Sequence, residues 1–326
     1  MKAMDTVIDL RVLSRKLLDS HQDDEESKII IDEIYAHFNE VTSISGYDSD
    51  ISKMIAIPAR KGMALSVNHA AQCLLDYHRT RKFLKGFYAA IVDKQKNYPN
   101  ETIQVFYAGC GPYAPFLTLI APLFDPEEVQ FSLLEINKDS LEKAELLIER
   151  LELTNYVTAC FLSDATTFKI KKPNQYHILF SETLDALLYR ECYVPILWNL
   201  LPQLSPEITV IPENVKIDLY FKENNNEVFD STIFDVRKRV KTYLPFSLLP
   251  GEFKSTIVSL SNKDKYDKLL LTTEVQIYKE HNLARDESSL SKSLEIQIEK
   301  PIMHKAVYFT YYTSPNVELK YALRKE

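Results

Sequence analysis

The residues best able to do chemistry are a glycine turn and four acids that follow one another through the middle of the chain. Gly109-Cys-Gly111 closes the apolar run Ile103–Ala108, and Glu135 closes a second run over 129–135. Asp164 follows a short third run near 156–161, and Glu182 and Glu191 lie beyond a fourth, 176–180. A strand that ends in a glycine turn lets backbone pass close to a nucleotide-like ligand, and an acid ending the next strand can reach a ribose diol. No third glycine follows at dinucleotide spacing. The next residues, Pro112-Tyr113-Ala114-Pro115, supply no P-loop lysine. A nicotinamide fingerprint and nucleoside triphosphate chemistry are therefore not expected. What remains is S-adenosylmethionine (SAM), with Gly109 and Gly111 along its methionine part, Glu135 accepting the ribose hydroxyls and Asp164 taking the adenine amino group.

Glu182 and Glu191 stand nine residues apart at the carboxyl end of a strand and in the loop after it, so they can converge on one ligand. A guanidinium is a planar fork of donors that pairs bidentately with carboxylates. Methylating it brings a sulfonium and a guanidinium together, two cations. A pair of carboxylates offsets that repulsion and draws positive charge toward the nitrogens it binds, leaving the third nitrogen more nucleophilic. Such catalysis is positioning and electrostatics and needs no metal. The plainer alternative is a helix cap and a surface charge.

These residues need elements to hold them. Between 96 and 178, strand and helix signals alternate: strand 103–108, helix 114–123, strand 129–135, helix 138–151, a short strand near 156–161 and strand 176–180. Alternation of this kind predicts a parallel sheet with helices on both faces. From about 205 the signals become all strand, with runs at 208–211, 216–221, 229–234, 256–260, 269–277, 294–298 and 306–312, which predicts a sandwich or barrel. Before the sheet, a helix is expected over 69–92, with Asp76, Arg79, Thr80 and Phe83 on one face. Taken alone, Asp76 and Arg79 read as a surface pair. Residues 1–60 read as two helices, one striped by Val7, Leu10, Val12, Leu13, Leu17 and Leu18, the other by Ile29, Ile30, Ile31, Ile34, Tyr35 and Phe38. The acidic run Asp23-Asp24-Glu25-Glu26 lies between them as a loop or a first turn, and 46–58 reads as a connection. The expected units are 1–60, 61–205 and 206–326.

Composition sets the frame. The 326 residues are 45% hydrophobic and 26% charged, with net charge −7. That balance is ordinary for a globular protein and argues against a nucleic-acid partner. The four cysteines, Cys73, Cys110, Cys160 and Cys192, include no CxxC pair and read as reduced thiols rather than zinc ligands. No signal peptide or membrane span is visible, so a cytoplasmic protein is expected.

Glu182 and Glu191, in Ser-Glu-x8-Glu, resemble the double-glutamate loop of the protein arginine methyltransferases. The segment Asp76-x-x-Arg79-Thr80-x-x-Phe83 resembles the helix that precedes their SAM-binding domain. Ile211-Pro212 is similar to the passage into their β-barrel, and His304 to a histidine before a late barrel strand. The resemblance covers roughly 62–325. It implies a Rossmann-like SAM-binding domain followed by a barrel-like domain, with Arg79 on the SAM carboxylate and Glu182 and Glu191 on the acceptor. Two features depart from the family. Its Thr-His-Trp loop, whose histidine pairs with the helix aspartate, is missing: the only tryptophan is Trp198, and Phe309 is followed by Thr-Tyr-Tyr-Thr-Ser-Pro. No dimerisation arm is evident; a homodimer is expected, with the N-terminal helices able to serve in the arm's place. Both departures imply a divergent relative acting on free L-arginine or a small guanidino compound. Protein arginine, a non-guanidino acceptor and a catalytically silent binding subunit remain the alternatives.

Overall fold

The computed structural model describes residues 9–19, 24–243 and 248–325. Val7 and Asp23 of the N-terminal patterns lie outside them. Helix α1 (Leu10–Leu18) is capped by Asp9 and buries Leu10, Leu13 and Leu17. Helix α2 (Asp24–Thr42) buries Ile30, Ile31, Ile34 and Phe38, while Val12 and Ile29 face outward. The connecting stretch holds a small hairpin, β1 (Ile57–Pro58) with β2 (Met63–Ala64).

The helix expected over 69–92 is two helices. Helix α3 (Val67–Gln72) runs into a short 3-10 turn, and α4 (Tyr77–Asn97) starts anew at Asp76. Asp76 has ψ 86°, outside the helical region, and its carboxylate accepts the Arg79 amide at 3.3 Å, as an N-cap does. α1 and α2 pack on α4 and α2 also on the later helix α6, so most of the described residues of their apolar stripes are covered within the chain. Dimerisation through those stripes loses its support.

The next unit is a parallel sheet: β3 (Ile103–Ala108), α5 (Pro115–Thr118), β4 (Val129–Glu135), α6 (Lys138–Arg150), β5 (Val157–Leu162), β6 (Ile178–Phe180), α7 (Tyr193–Leu200) and β7 (Thr209–Ile211). α5 is shorter than the expected 114–123 because Pro122 cannot continue a helix, and the chain passes into a 3-10 turn there. The strand order is β5-β4-β3-β6-β7, every neighbour parallel. Connections leave β3 toward one edge and return to β6 on its other side, so the order reverses between β3 and β6. A crevice opens above the carboxyl ends of the strands at such a point. The run at 208–211, read as the first strand of the β region, instead closes this sheet as β7 beside β6.

The remainder is antiparallel: β8 (Asn214–Glu223), β9 (Asn226–Asp235), helix α8 (Val236–Tyr243), β10 (Thr256–Ser259), β11 (Lys268–Tyr278), β12 (His281–Leu283), β13 (Leu294–Gln297), β14 (Ala306–Tyr312) and β15 (Glu318–Arg324). One sheet runs β12-β11-β8-β9 with β13 also on β11, the other β10-β14-β15. The fold is thus a Rossmann-like α/β unit followed by a barrel-like β region, with a helical N-terminal segment. α8, β12 and β15 were not expected from the sequence. α4 lies directly on β11, and Gly86 permits it: a Cβ there would stand 2.6 Å from Ile277 Cγ2. Asp93 of α4 adds bonds to Tyr278 Oη (3.1 Å) and Lys279 Nζ. Among the described residues no helix is long and apolar enough to cross a membrane.

Candidate functional site

A pocket of about 810 Å³, counted out to its open mouth, lies over the point where the strand order reverses. Its lining includes all seven residues singled out in the sequence: Arg79, Gly109, Gly111, Glu135, Asp164, Glu182 and Glu191.

The glycine turn follows β3 because two of its residues take left-handed backbone, Gly109 with φ +79° and Gly111 with φ +65°. Glu135, at the end of β4, is buried and meets the turn directly. Its Oε2 accepts from Gly111 N at 2.9 Å, and its Oε1 accepts from Ile136 N and Asn137 N, both at 2.9 Å. Burial pushes this carboxyl up, and the three amides oppose the rise. With about four acceptor positions on a carboxylate, one on Oε2 stays open. Glu135 thus keeps an acceptor position facing the pocket while it holds the turn.

Asp164, after β5, is likewise engaged. Thr166 N (2.8 Å) and Thr166 Oγ1 (2.7 Å) donate to its Oδ1, and Arg60 N donates to its Oδ2 at 2.7 Å. Arg60 belongs to the turn of the β1–β2 hairpin, whose Ala59, Met63 and Ala64 line the pocket. The hairpin, which starts where the stretch read as a connection ends, is a wall of the site. Two-residue strands give no periodic signal from which to predict it.

Arg79 and Glu182 face each other. Arg79 Nε and Nη2 both donate to the Glu182 carboxylate, the second at 2.7 Å, and the two side chains are 8% exposed each. Burial works against charge on both. Glu182 holds Arg79 firmly protonated, and Arg79 opposes the upward push of burial on Glu182. Arg79 is thus no surface partner of Asp76. Asp76, whose expected histidine is missing, is met instead by Ser288 Oγ (2.9 Å), Ser289 N (2.8 Å) and Ser289 Oγ (2.7 Å) from the turn before β13. His304 is placed in neither contact. Trp198 packs its ring on Phe253, in the core.

Glu191 is buried, and burial followed by the neighbouring Asp185 carboxyl pushes its pKa well up. The loop that carries it holds Leu187, Leu188 and Arg190 at φ 58°, 55° and 68°. Left-handed backbone costs such residues about 1–2 kcal/mol each, so surrounding bonds must impose it. They are present: Leu187 N to Thr273 Oγ1 (2.8 Å), Tyr311 Oη to Leu188 O (3.2 Å), Arg190 N to Val317 O (2.8 Å) and Met63 N to Arg190 O (3.0 Å). The β region and the hairpin together fix the second glutamate.

All four cysteines are free, and Cys73, Cys110 and Cys192 line the pocket. Burial raises Cys73 to about 11 and Cys192 to about 12, so neither is a ready thiolate. Among the described residues no group of three or more His, Cys, Asp or Glu side chains is placed to hold a metal.

No protein-family model matches the chain, and comparison with curated proteins finds no match. Among solved structures it is similar to Arabidopsis thaliana protein arginine methyltransferase 10, described in a uniquely open conformation. That match has 12% identity and a TM-score of 0.46 and covers 79% of this chain and 97% of the other. It is also similar to a Trypanosoma brucei PRMT1 enzyme–prozyme heterotetrameric complex with AdoHcy, at 9% identity and a TM-score of 0.44, over 78% and 96% of the two chains. Likeness at that level carries no functional weight.

Proposed function

We propose that the chain is a SAM-dependent N-methyltransferase acting on a guanidino group, with free L-arginine or a small guanidino compound as the favoured acceptor. The observation that carries this reading is the Arg79–Glu182 contact. A buried carboxylate that lines the pocket already grips a guanidinium in two-pronged geometry. Glu191 lines the same pocket, so a second guanidinium can be held between the two glutamates.

The remaining residues fit a SAM molecule in the crevice. When bound, SAM supplies the methyl group as a sulfonium. Gly111 leaves room for backbone to run beside a ligand, since a Cβ there would meet only Ala70 Cβ at 3.6 Å. Glu135 and Asp164 each keep one open acceptor position, for a ribose hydroxyl and for the adenine amine. Arg79 commits Nε and Nη2 to Glu182, and its guanidinium, which lines the pocket, would meet the SAM carboxylate. One arginine would then orient an acceptor-binding glutamate and hold the donor at once. Glu182 and Glu191 neutralise the acceptor and fix one nitrogen toward the methyl group, which is catalysis by position and charge.

Mass spectrometry after incubation with SAM, with L-arginine and an arginine-rich peptide in parallel tubes, tests the reading. Methylated L-arginine is the expected product. Methylation of the peptide alone would transfer the activity to protein arginine. No product in either tube from a chain that binds SAM calorimetrically would move the acceptor outside guanidines. Failure to bind SAM would refute the enzyme.

A further inference from the structure

A second cavity, of about 670 Å³ counted out to its open mouth, lies over β4 and β5 at one edge of the parallel sheet. It shares no lining residue with the crevice that holds Arg79 and the glutamates. The 163–177 crossover from β5 to β6 forms only a 3-10 turn at Pro173–Gln175, so it lays no α-helix over these strands. The loop that runs there instead is held by Asn199 of α7 and by Gln203 just after it. Asn199 Nδ2 (2.8 Å) and Gln203 Nε2 (3.0 Å) both donate to Phe168 O, and Ile170 N donates to Gln203 Oε1 at 2.9 Å. A wall fixed in this way keeps its shape without a ligand. Its rings are half-buried: Phe168 stands 5.0 Å from Phe161 and 5.9 Å from Phe106, centre to centre. The floor is a row of hydroxyls. Tyr176 Oη donates to the buried Ser132 Oγ at 3.0 Å, Ser132 Oγ meets Thr158 Oγ1 at 2.7 Å, and Thr158 donates to Phe131 O at 3.0 Å. Thr158 gives its proton to that carbonyl, so Ser132 gives its own to Thr158, and all three protons are engaged. Each oxygen keeps a lone pair, so the floor accepts hydrogen bonds and offers none. The exposed Lys171 and Lys172 complete a lining that contains no acid, and among the described residues neither forms an ion pair.

We propose that this cavity is a second binding site, for an amino-substituted heteroaromatic ring that carries an anionic group, as a nucleoside monophosphate with an exocyclic amine does. The ring lies against the phenylalanine wall, its amine donates to the hydroxyl floor, and its anionic group reaches Lys171 and Lys172. Stacking on an aromatic face tolerates any base, so the floor supplies the selectivity. A ring with an oxo group in place of the amine sets an acceptor against acceptors and loses that bond. None of the crevice residues takes part, so the site stands apart from the reaction proposed above.

Saturation-transfer NMR on the full chain, with cytidine monophosphate as the probe, tests this. The base protons of the probe should receive saturation, and titration should give an affinity that falls about tenfold in Lys171→Ala/Lys172→Ala. Cytidine, which lacks the phosphate, should bind the wild type and that variant alike. Uridine monophosphate, with an oxygen where cytidine has its amine, should bind the wild type about tenfold more weakly than the cytidine nucleotide. Thr158→Val removes one floor oxygen and frees the Ser132 proton, so the preference for the amine should shrink there. Both lysines are exposed, so their double variant should keep the wild-type Tm, which separates a lost contact from a lost fold. Added S-adenosylhomocysteine should leave the cytidine nucleotide bound, which separates this cavity from the crevice. No saturation of the probe, equal binding of the two nucleotides, undiminished binding by the lysine variant, or complete displacement by S-adenosylhomocysteine overturns the inference. Each of those results leaves the proposed methyl transfer intact.

Discussion

Gly109→Ala should destabilise this protein far more than the same change two residues on, at Gly111. Two separate costs arise at Gly109. Gly109 has φ +79°, and an L-residue forced into left-handed backbone loses about 1–2 kcal/mol. An added Cβ would also stand 2.3 Å from Thr183 Cγ2, well inside any contact two carbons tolerate. Relieving such overpacking costs about 1–3 kcal/mol more. Gly111→Ala provides the control. Its φ is +65°, but its Cβ would meet only Ala70 Cβ, at an ordinary 3.6 Å, so it should show the backbone cost alone. Urea denaturation should therefore give about 2–5 kcal/mol of destabilisation for Gly109→Ala and about 1–2 kcal/mol for Gly111→Ala. Thr183→Ser removes the clashing methyl and keeps the hydroxyl that meets Ser181 Oγ at 3.1 Å. The double variant Gly109→Ala/Thr183→Ser should recover most of the excess, appearing as a coupling energy of about 1–3 kcal/mol in a double-mutant cycle. Thr183 adjoins Glu182, so the same rescue should restore acceptor binding. Equal destabilisation by the two alanines, or no coupling to Thr183, would refute this account of the turn.

Arg79→Ala should cost about 3–5 kcal/mol in urea denaturation because it leaves the Glu182 carboxylate buried and alone; Arg79→Ala/Glu182→Gln should be the more stable of the two, and a lower stability for it would contradict the pairing. Asp76→Ala removes the α4 cap and all three bonds from Ser288 and Ser289, so it should lose at least the ~1–2 kcal/mol of a cap. Amide exchange at 288–291 should accelerate with it, whereas Ser289→Ala alone should do much less.

The sheet and its glycine turn were readable because each feature has a local signature. Buried parallel strands are continuous apolar runs, and 103–108 and 129–135 matched β3 and β4 to the residue. What escaped depends on partners far along the chain. Asp76 sits among helix formers and reads as one more residue on a helical face. Only its bonds to Ser288 and Ser289, more than 200 residues on, reveal it as a cap between two helices. Arg79 read as a surface charge for the same reason, since Glu182 lies 103 positions away. The 208–211 run has the composition of any strand. Its membership of the parallel sheet is decided by pairing with β6, which composition does not encode. β15, Glu-Leu-Lys-Tyr-Ala-Leu-Arg, is charged and largely exposed at a sheet edge, so it carries little of the apolar signal by which strands are found.

Substitutions at the site act on fold and ligand together, because each acid of the pocket is also a joint between pieces of the fold. Glu135 fastens the glycine turn to β4, Asp164 fastens the β1–β2 hairpin through Arg60 N, and Glu182 fastens α4 through Arg79. Glu191 bridges to Met63 of β2 through its backbone. A carboxylate that binds a ligand must be held still, and here the chain's own donors hold it without further residues. For the same reason, removing any one acid loosens a joint as well as a contact. Loss of turnover in Glu182→Gln alone therefore does not isolate a role on the acceptor. Retained SAM affinity together with a retained hydrogen bond from Arg79 does. In that variant the side-chain amide oxygen at position 182 can still accept from Arg79, while the amide nitrogen beside it cannot accept from a guanidinium.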